Sequence, residues 1–142
     1  MVKDRHRAVP AAYLVLMKDG KVFLQRRVNT GYMDGKYGLP AGHVEKGESF
    51  TQCVVREVKE EIGVDLQEQD LKVVHLMHRF TGGEWGDLGY RIDAFFTADK
   101  WSGEPNWNHN SQAWATIVEA KRQTEIDIRE LYGEAALKIL DE

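Results

Sequence analysis

A chain of 142 residues, 42% hydrophobic and 30% charged, is the size of one domain expected to bury roughly 70% of its unfolded surface, which leaves little room for a disordered tail. No apolar run approaches the ~20 residues a membrane-spanning helix needs, and the charged segment Met1 to Arg7 leads into no apolar secretory stretch, so a soluble, cytoplasmic protein is expected. The formal charge of −4 speaks against a nucleic-acid binder, which would carry a basic surface, and Cys53, the only cysteine, excludes an intrachain disulfide or a multi-cysteine zinc site.

Val9 to Met17 (VPAAYLVLM) is almost continuously apolar, as in a strand covered on both faces. Asp19-Gly20 then predicts a tight hairpin, with Val22-Phe23-Leu24 returning towards Arg26 and Arg27. Residues 29–38 carry Gly31, Gly35 and Gly38 and run into Leu39-Pro40, the composition of a loop. Ser49 with Gln52 forms a capping-box pattern and Gly63 supplies a stop, so a helix is predicted from about Ser49 to Ile62 with Phe50, Val54, Val58 and Ile62 as its buried stripe. Leu71 to Phe80 and Tyr90 to Thr97 read as strands joined by a glycine-rich turn from Thr81 to Gly89. A shorter strand is expected over Ala113 to Ile117, and a closing amphipathic helix with Ile128, Leu131, Tyr132, Ala135 and Ile139 on one face. Strands, helix, strands and helix together describe an α/β chain, a mixed sheet with helices on its faces, in one domain spanning 1–142.

Within the predicted helix, Glu57, Glu60 and Glu61 share one face. As i,i+3 and i,i+4 pairs of like charge they cost a few tenths of a kcal/mol each. Lys59 lies away from that face and Arg56 only at its edge, so the cluster reads as unpaired within the helix. Three converging carboxylates are the hard oxygen ligands that Mg²⁺ or Mn²⁺ prefers, although a run of acidic residues by itself more often just faces water. A bound cation would also reconcile an acidic protein with a polyphosphate ligand.

The neighbours of these glutamates decide between the two readings. Gly42, Glu48, Arg56, Glu57, Val58, Glu60, Glu61, Gly63 and Val64 form G-x5-E-x7-R-E-U-x-E-E-x-G-U, with U aliphatic, a match expected by chance with odds on the order of 10⁻⁸ in a chain of this length. The pattern, spanning 42–64, resembles the Nudix box at every fixed position. That resemblance implies a Nudix-type α/β/α sandwich with a mixed β-sheet, and hydrolysis of a nucleoside diphosphate linked to a further group. It also implies that Glu57 and Glu61 ligate metal ions, that Glu60 ligates or acts as base, that the Ala41 carbonyl adds a ligand, and that Arg56 pairs with Glu48 to hold loop against helix. In such a site the cations orient the diphosphate and a carboxylate helps activate the attacking water. No protein nucleophile is required, so Cys53 reads as a packed thiol.

Other candidates are weighed against blander roles. Arg26 and Arg27 end a strand and can reach substrate phosphate with forked donors, or form a plain surface pair. His75 and His78, three apart on a strand, should point to opposite faces and not share a metal. His43 lies near the box by position and is equally compatible with a structural role. Trp101, Trp107 and Trp114 offer rings for stacking on a base, with core packing favoured for Trp114. Trp101-Ser102-Gly103-Glu104-Pro105 is similar to a segment of MutT-like nucleoside triphosphate diphosphatases, as is the loop 29–39. The chain departs from that branch at Asn106-Trp107-Asn108-His109-Asn110, where a second Glu-Pro is common. The expected activity is Mg²⁺- or Mn²⁺-dependent conversion of a nucleoside triphosphate, normal or oxidised, to monophosphate and pyrophosphate. ADP-ribose or dinucleoside polyphosphates are alternative substrates, and a non-catalytic nucleotide-binding module is the alternative class.

Overall fold

A computed structural model describes residues 4–19, 21–26, 36–105, 112–116 and 129. The apolar run at the start forms β1 (Val9–Val15), followed after Leu16 by β2 (Met17–Lys18) and β3 (Lys21–Arg26). The expected single strand through Met17 is therefore two, with Phe23 N–H bonded to the Leu16 carbonyl at 2.9 Å across the hairpin. Two short strands appear here: β4 (Tyr37–Gly38) lies in the segment read as loop from its glycines, and β5 (Ala41–His43) follows the Leu39-Pro40 that ends it. They were hidden because a two- or three-residue strand is too short to display an alternating pattern.

Helix α1 (Phe50–Ile62) begins at Ser49, whose side chain accepts the Gln52 N–H while the Gln52 side chain accepts the Ser49 N–H, the reciprocal arrangement read from the sequence. Such a cap contributes about 1 kcal/mol. The helix ends at Gly63 in the left-handed conformation (φ 74°), a geometry that glycine adopts without a Cβ penalty. Its buried side is Cys53, Val54, Val58 and Ile62, with Phe50 half-buried at the rim.

β6 (Leu71–Phe80) and β7 (Tyr90–Ala98) fall where their β-rich composition places them, joined by a 3₁₀ segment over Gly83–Gly89. β8 (Gln112–Thr116) pairs with β3. The predicted terminal helix lies outside the described residues apart from Arg129, which is helical.

Among the described residues the strands make two four-stranded sheets. One has the order β5-β1-β7-β6, and the other joins β2, β3 and β4 with β8 beside β3. β1 runs parallel to β7 and antiparallel to β5, so the first sheet is mixed as expected. Its central strands β1 and β7 bury both faces. Ala12, Leu14, Ala94 and Phe96 pack beneath α1, while Ala11, Tyr13, Val15 and Phe95 pack with Val22, Leu24 and Leu39 on the opposite side. This two-sided burial is why β1 carries no polar alternation. Among the described residues no helix is long and apolar enough to cross a membrane.

Candidate active site

β5 is an edge strand, and its register explains what it offers to α1. The Leu14 N–H to Pro40 carbonyl and Val44 N–H to Pro10 carbonyl bonds, both 2.9 Å, flank the Ala12–Gly42 pair. By the alternation of antiparallel ladders, the Ala41 N–H and carbonyl face the open edge, away from β1. Glu61 Oε2 accepts that Ala41 N–H at 3.1 Å and the Gln25 Nε2–H from β3 at 3.3 Å. Burial, and then the neighbouring charge of Glu57, push the Glu61 carboxyl up to about 7.

Glu57 lies directly across Gly42. A Cβ at that position would overlap the Glu57 side-chain carbons and Oε1, so the glycine is demanded by close approach. Two carboxylates of α1 therefore reach adjacent residues of the β5 edge.

Arg56 ties the preceding loop to the helix. Its Nε and Nη2 donate to the two oxygens of Glu48 at 2.7 and 3.0 Å, a forked pair, and Nη2 also donates to the His43 carbonyl at 3.2 Å. These bonds from Arg56, with the Glu45 N–H at 3.0 Å, hold the Glu48 carboxyl down at about 2. The geometry brings Glu48 and Arg56 together as the pattern implied.

One expectation needs correction. The glutamate cluster is not left unpaired, because Arg56 Nη1 donates to Glu57 Oε1 at 2.6 Å and reaches Glu60 Oε2 at 3.4 Å. A long guanidinium stem at the edge of a helix face can cross it, which counting positions on a helical wheel does not reveal. Nor do the three carboxylates point alike. Glu61 turns to Ala41 and Gln25, Glu57 lies over Gly42 towards Arg56, and the Glu60 side chain is 60% exposed. Among the described residues, no three acidic, imidazole or thiol side chains stand in a ready-made ion cage. The donor chemistry still suits a hard cation. Glu57 and Glu61 of α1 set oxygen donors against neighbouring residues of one strand edge, and their mutual repulsion, which adds to burial in raising Glu61, is what a divalent ion would relieve.

Cys53 is fully buried, its thiol donating weakly to the Gly42 carbonyl at 3.6 Å, and burial pushes it up to about 12. It packs and does not attack. His75 and His78 fall on opposite faces of β6, His75 beside Phe95 and His78 beside His6. Trp101 packs against the core beneath α1, and Ser102 is tied to Asp65 by a pair of backbone bonds at 2.9 and 3.0 Å. Glu104 accepts from Lys18 at 3.4 Å. Arg27 and Trp107 lie outside the described residues; Arg26 closes β3 opposite Tyr37, and Trp114 lies in β8 opposite Phe23.

Sequence reasoning missed Gln25 as a partner of Glu61 and a polar group on the sheet face opposite α1. There Asp93, fully buried, accepts from Tyr13 Oη at 2.9 Å and from Arg79 Nε at 2.5 Å. A lone aspartate within the apolar strand YRIDAFFT was the available signal, since a buried charge requires partners. Nearby, His43 Nε2 accepts from Arg91 Nη1 at 2.8 Å, and burial followed by the Arg91 charge lowers the imidazole pKa.

The chain matches the NUDIX domain family over residues 5–135. It is similar to the 8-oxo-dGTP diphosphatase of Escherichia coli (strain K12), with 30% identity over 111 residues that cover 76% of this chain and 79% of that protein. It is also similar to the ADP-ribose pyrophosphatase of Methanocaldococcus jannaschii, 34% identical over 63% of this chain, although it spans only 50% of that protein. In structure it resembles the MutT NUDIX hydrolase of Burkholderia pseudomallei, with a TM-score of 0.70 at 21% identity over 80% of this chain and 86% of that one. Family match, relatives and fold agree with the box on α1: the chain belongs to the Nudix hydrolases.

Proposed function

We propose that this Nudix hydrolase cleaves nucleoside triphosphates, normal or oxidised, to the monophosphate and pyrophosphate, using Mg²⁺ or Mn²⁺. The observation that carries the reading is the meeting of α1 with the edge of β5, where Glu57 crosses Gly42 and Glu61 takes the Ala41 N–H. When bound there, the divalent ion supplies positive charge to the diphosphate and promotes ionisation of the attacking water. Glu57, Glu60, Glu61 and the Ala41 carbonyl on the open edge are the proposed ligands. Glu60, the most exposed of the three glutamates, is the proposed base, taking the proton as water adds to phosphorus and the anhydride bond breaks to give the monophosphate and pyrophosphate. Arg56 and Glu48 hold the loop of the box against α1, while Arg26, the last residue of β3, and its sequence neighbour Arg27 are proposed substrate-phosphate contacts.

The choice of a triphosphate is supported by the similarity to an 8-oxo-dGTP diphosphatase, 79% of whose length this chain covers. The ADP-ribose pyrophosphatase relative supports a second reading, in which a diphosphate joining two sugars is cleaved. The test is a panel of normal and oxidised nucleoside triphosphates, ADP-ribose and dinucleoside polyphosphates, assayed for released phosphate and pyrophosphate with Mg²⁺ and with excess chelator. Pyrophosphate from a triphosphate, abolished by chelator, is expected. Turnover of ADP-ribose alone would select the second reading, and full activity in chelator would refute the metal role.

A further inference from the structure

The end of the sheet beside the box carries a cation that the proposed chemistry does not use. Arg91 lies near the start of β7, and the β1–β7 register puts it on the same face as Asp93 and Phe95, opposite α1. It is half-buried, and two bonds orient its guanidinium: Nε donates to the Leu88 carbonyl at 3.1 Å, and Nη1 to His43 Nε2 at 2.8 Å. Among the described residues Nη2 has no partner and no carboxylate pairs with Arg91. Asp93, two residues along the same face, is occupied by Arg79 and Tyr13. A guanidinium held in a fixed plane by two bonds, with one nitrogen facing no partner among the described residues, is poised for an anion from outside the fold. Its anchor, His43, directly follows the glycine crossed by Glu57 and gives its carbonyl to Arg56. Arg91 is thus linked through a single residue to the carboxylate edge.

We propose that Arg91 binds a phosphate oxygen of the substrate through its open Nη2 edge, with His43 as the residue that positions it. The inference rests on the hydrolase reading above and adds to it a contact from the sheet face opposite α1. A guanidinium suits this task because its planar fork keeps its orientation while it binds phosphate, which a mobile ammonium does not. The neutral His43 ring accepts the Arg91 N–H without competing for the anion.

The experiment measures equilibrium binding of a non-hydrolysable α,β-methylene nucleoside triphosphate, with Mg²⁺, to wild type, Arg91→Gln and Arg91→Lys, together with kcat and KM. Loss of one charge-assisted bond predicts affinity roughly ten- to a hundredfold weaker for Arg91→Gln, partly recovered by Arg91→Lys. KM should rise by a larger factor than kcat falls. Arg91→Lys, which keeps the charge but loses the fork, carries the comparison if Arg91→Gln does not fold. If Arg91 is only a strut between Leu88 and His43, the variants change the thermal midpoint but bind the analogue as wild type does, and the proposal is overturned. A wild type that fails to bind the analogue overturns it as well. A wild type that binds it with the predicted Arg91 dependence but hydrolyses nothing in the panel refutes the hydrolase reading and leaves the binding role standing.

Discussion

Replacing Glu61 by glutamine should stabilise the metal-free protein, and only at higher pH. Burial and the neighbouring Glu57 raise the Glu61 carboxyl from the usual 4.5 to about 7. At 1.36 kcal/mol per unit, holding this carboxylate ionised in the fold costs about 3 kcal/mol. The folded state binds the proton more tightly than the unfolded state, so stability contributed by the protonated group is fully present below about 4.5. It is lost as pH rises from there through about 7. Glutamine keeps an oxygen for the Ala41 N–H and never ionises. In chelator, Glu61→Gln should therefore match wild type near pH 4.5 and exceed it by up to about 3 kcal/mol at pH 8, a rise of several degrees in thermal midpoint for a domain of this size. Saturating Mg²⁺ should reverse the order, because an ion that binds only the folded state stabilises the protein with the stronger site more. The assay is thermal unfolding of both proteins from pH 4.5 to 8.5, with chelator and with Mg²⁺. A stability difference independent of pH would refute the claim that Glu61 is a strained carboxylate, and an identical Mg²⁺ response would refute its role as a ligand.

Three further outcomes follow from the same geometry. Arg56→Ala and Glu48→Gln should be strongly non-additive in turnover and in stability, since each breaks the same forked pair; additive effects in the double-mutant cycle would dissolve the pairing. Gly42→Ala introduces a methyl where the Glu57 side chain lies, so it should cost roughly 1 to 3 kcal/mol and lower turnover sharply as Glu57 is displaced; wild-type kcat in this variant would show that Glu57 is not needed where it lies. Cys53, buried and raised to about 12, should resist alkylation at pH 8 in the native protein and react readily after unfolding, and fast native labelling would contradict its burial.

Local patterns determined much of this protein. Ser49, Gln52 and Gly63 delimit α1 because capping groups act within one turn, and the apolar composition of β1 and β7 records burial that any pairing partner would require. The spacing of the box was likewise legible, since Glu48 and Arg56 need only the helix and the loop before it to meet. Contacts between residues distant in sequence were decided by tertiary structure alone. Only the position of the β5 edge makes Gly42 a necessity of close approach and lifts Glu61 to about 7 against Ala41 and Gln25. Asp93 gains Tyr13 from 80 positions away, and Arg91 gains His43 from 48, through strand order that a single strand's composition does not encode. The physical reason is range: caps and stripes are set by neighbours along the chain, whereas desolvation and charge pairing are set by whatever the fold brings alongside.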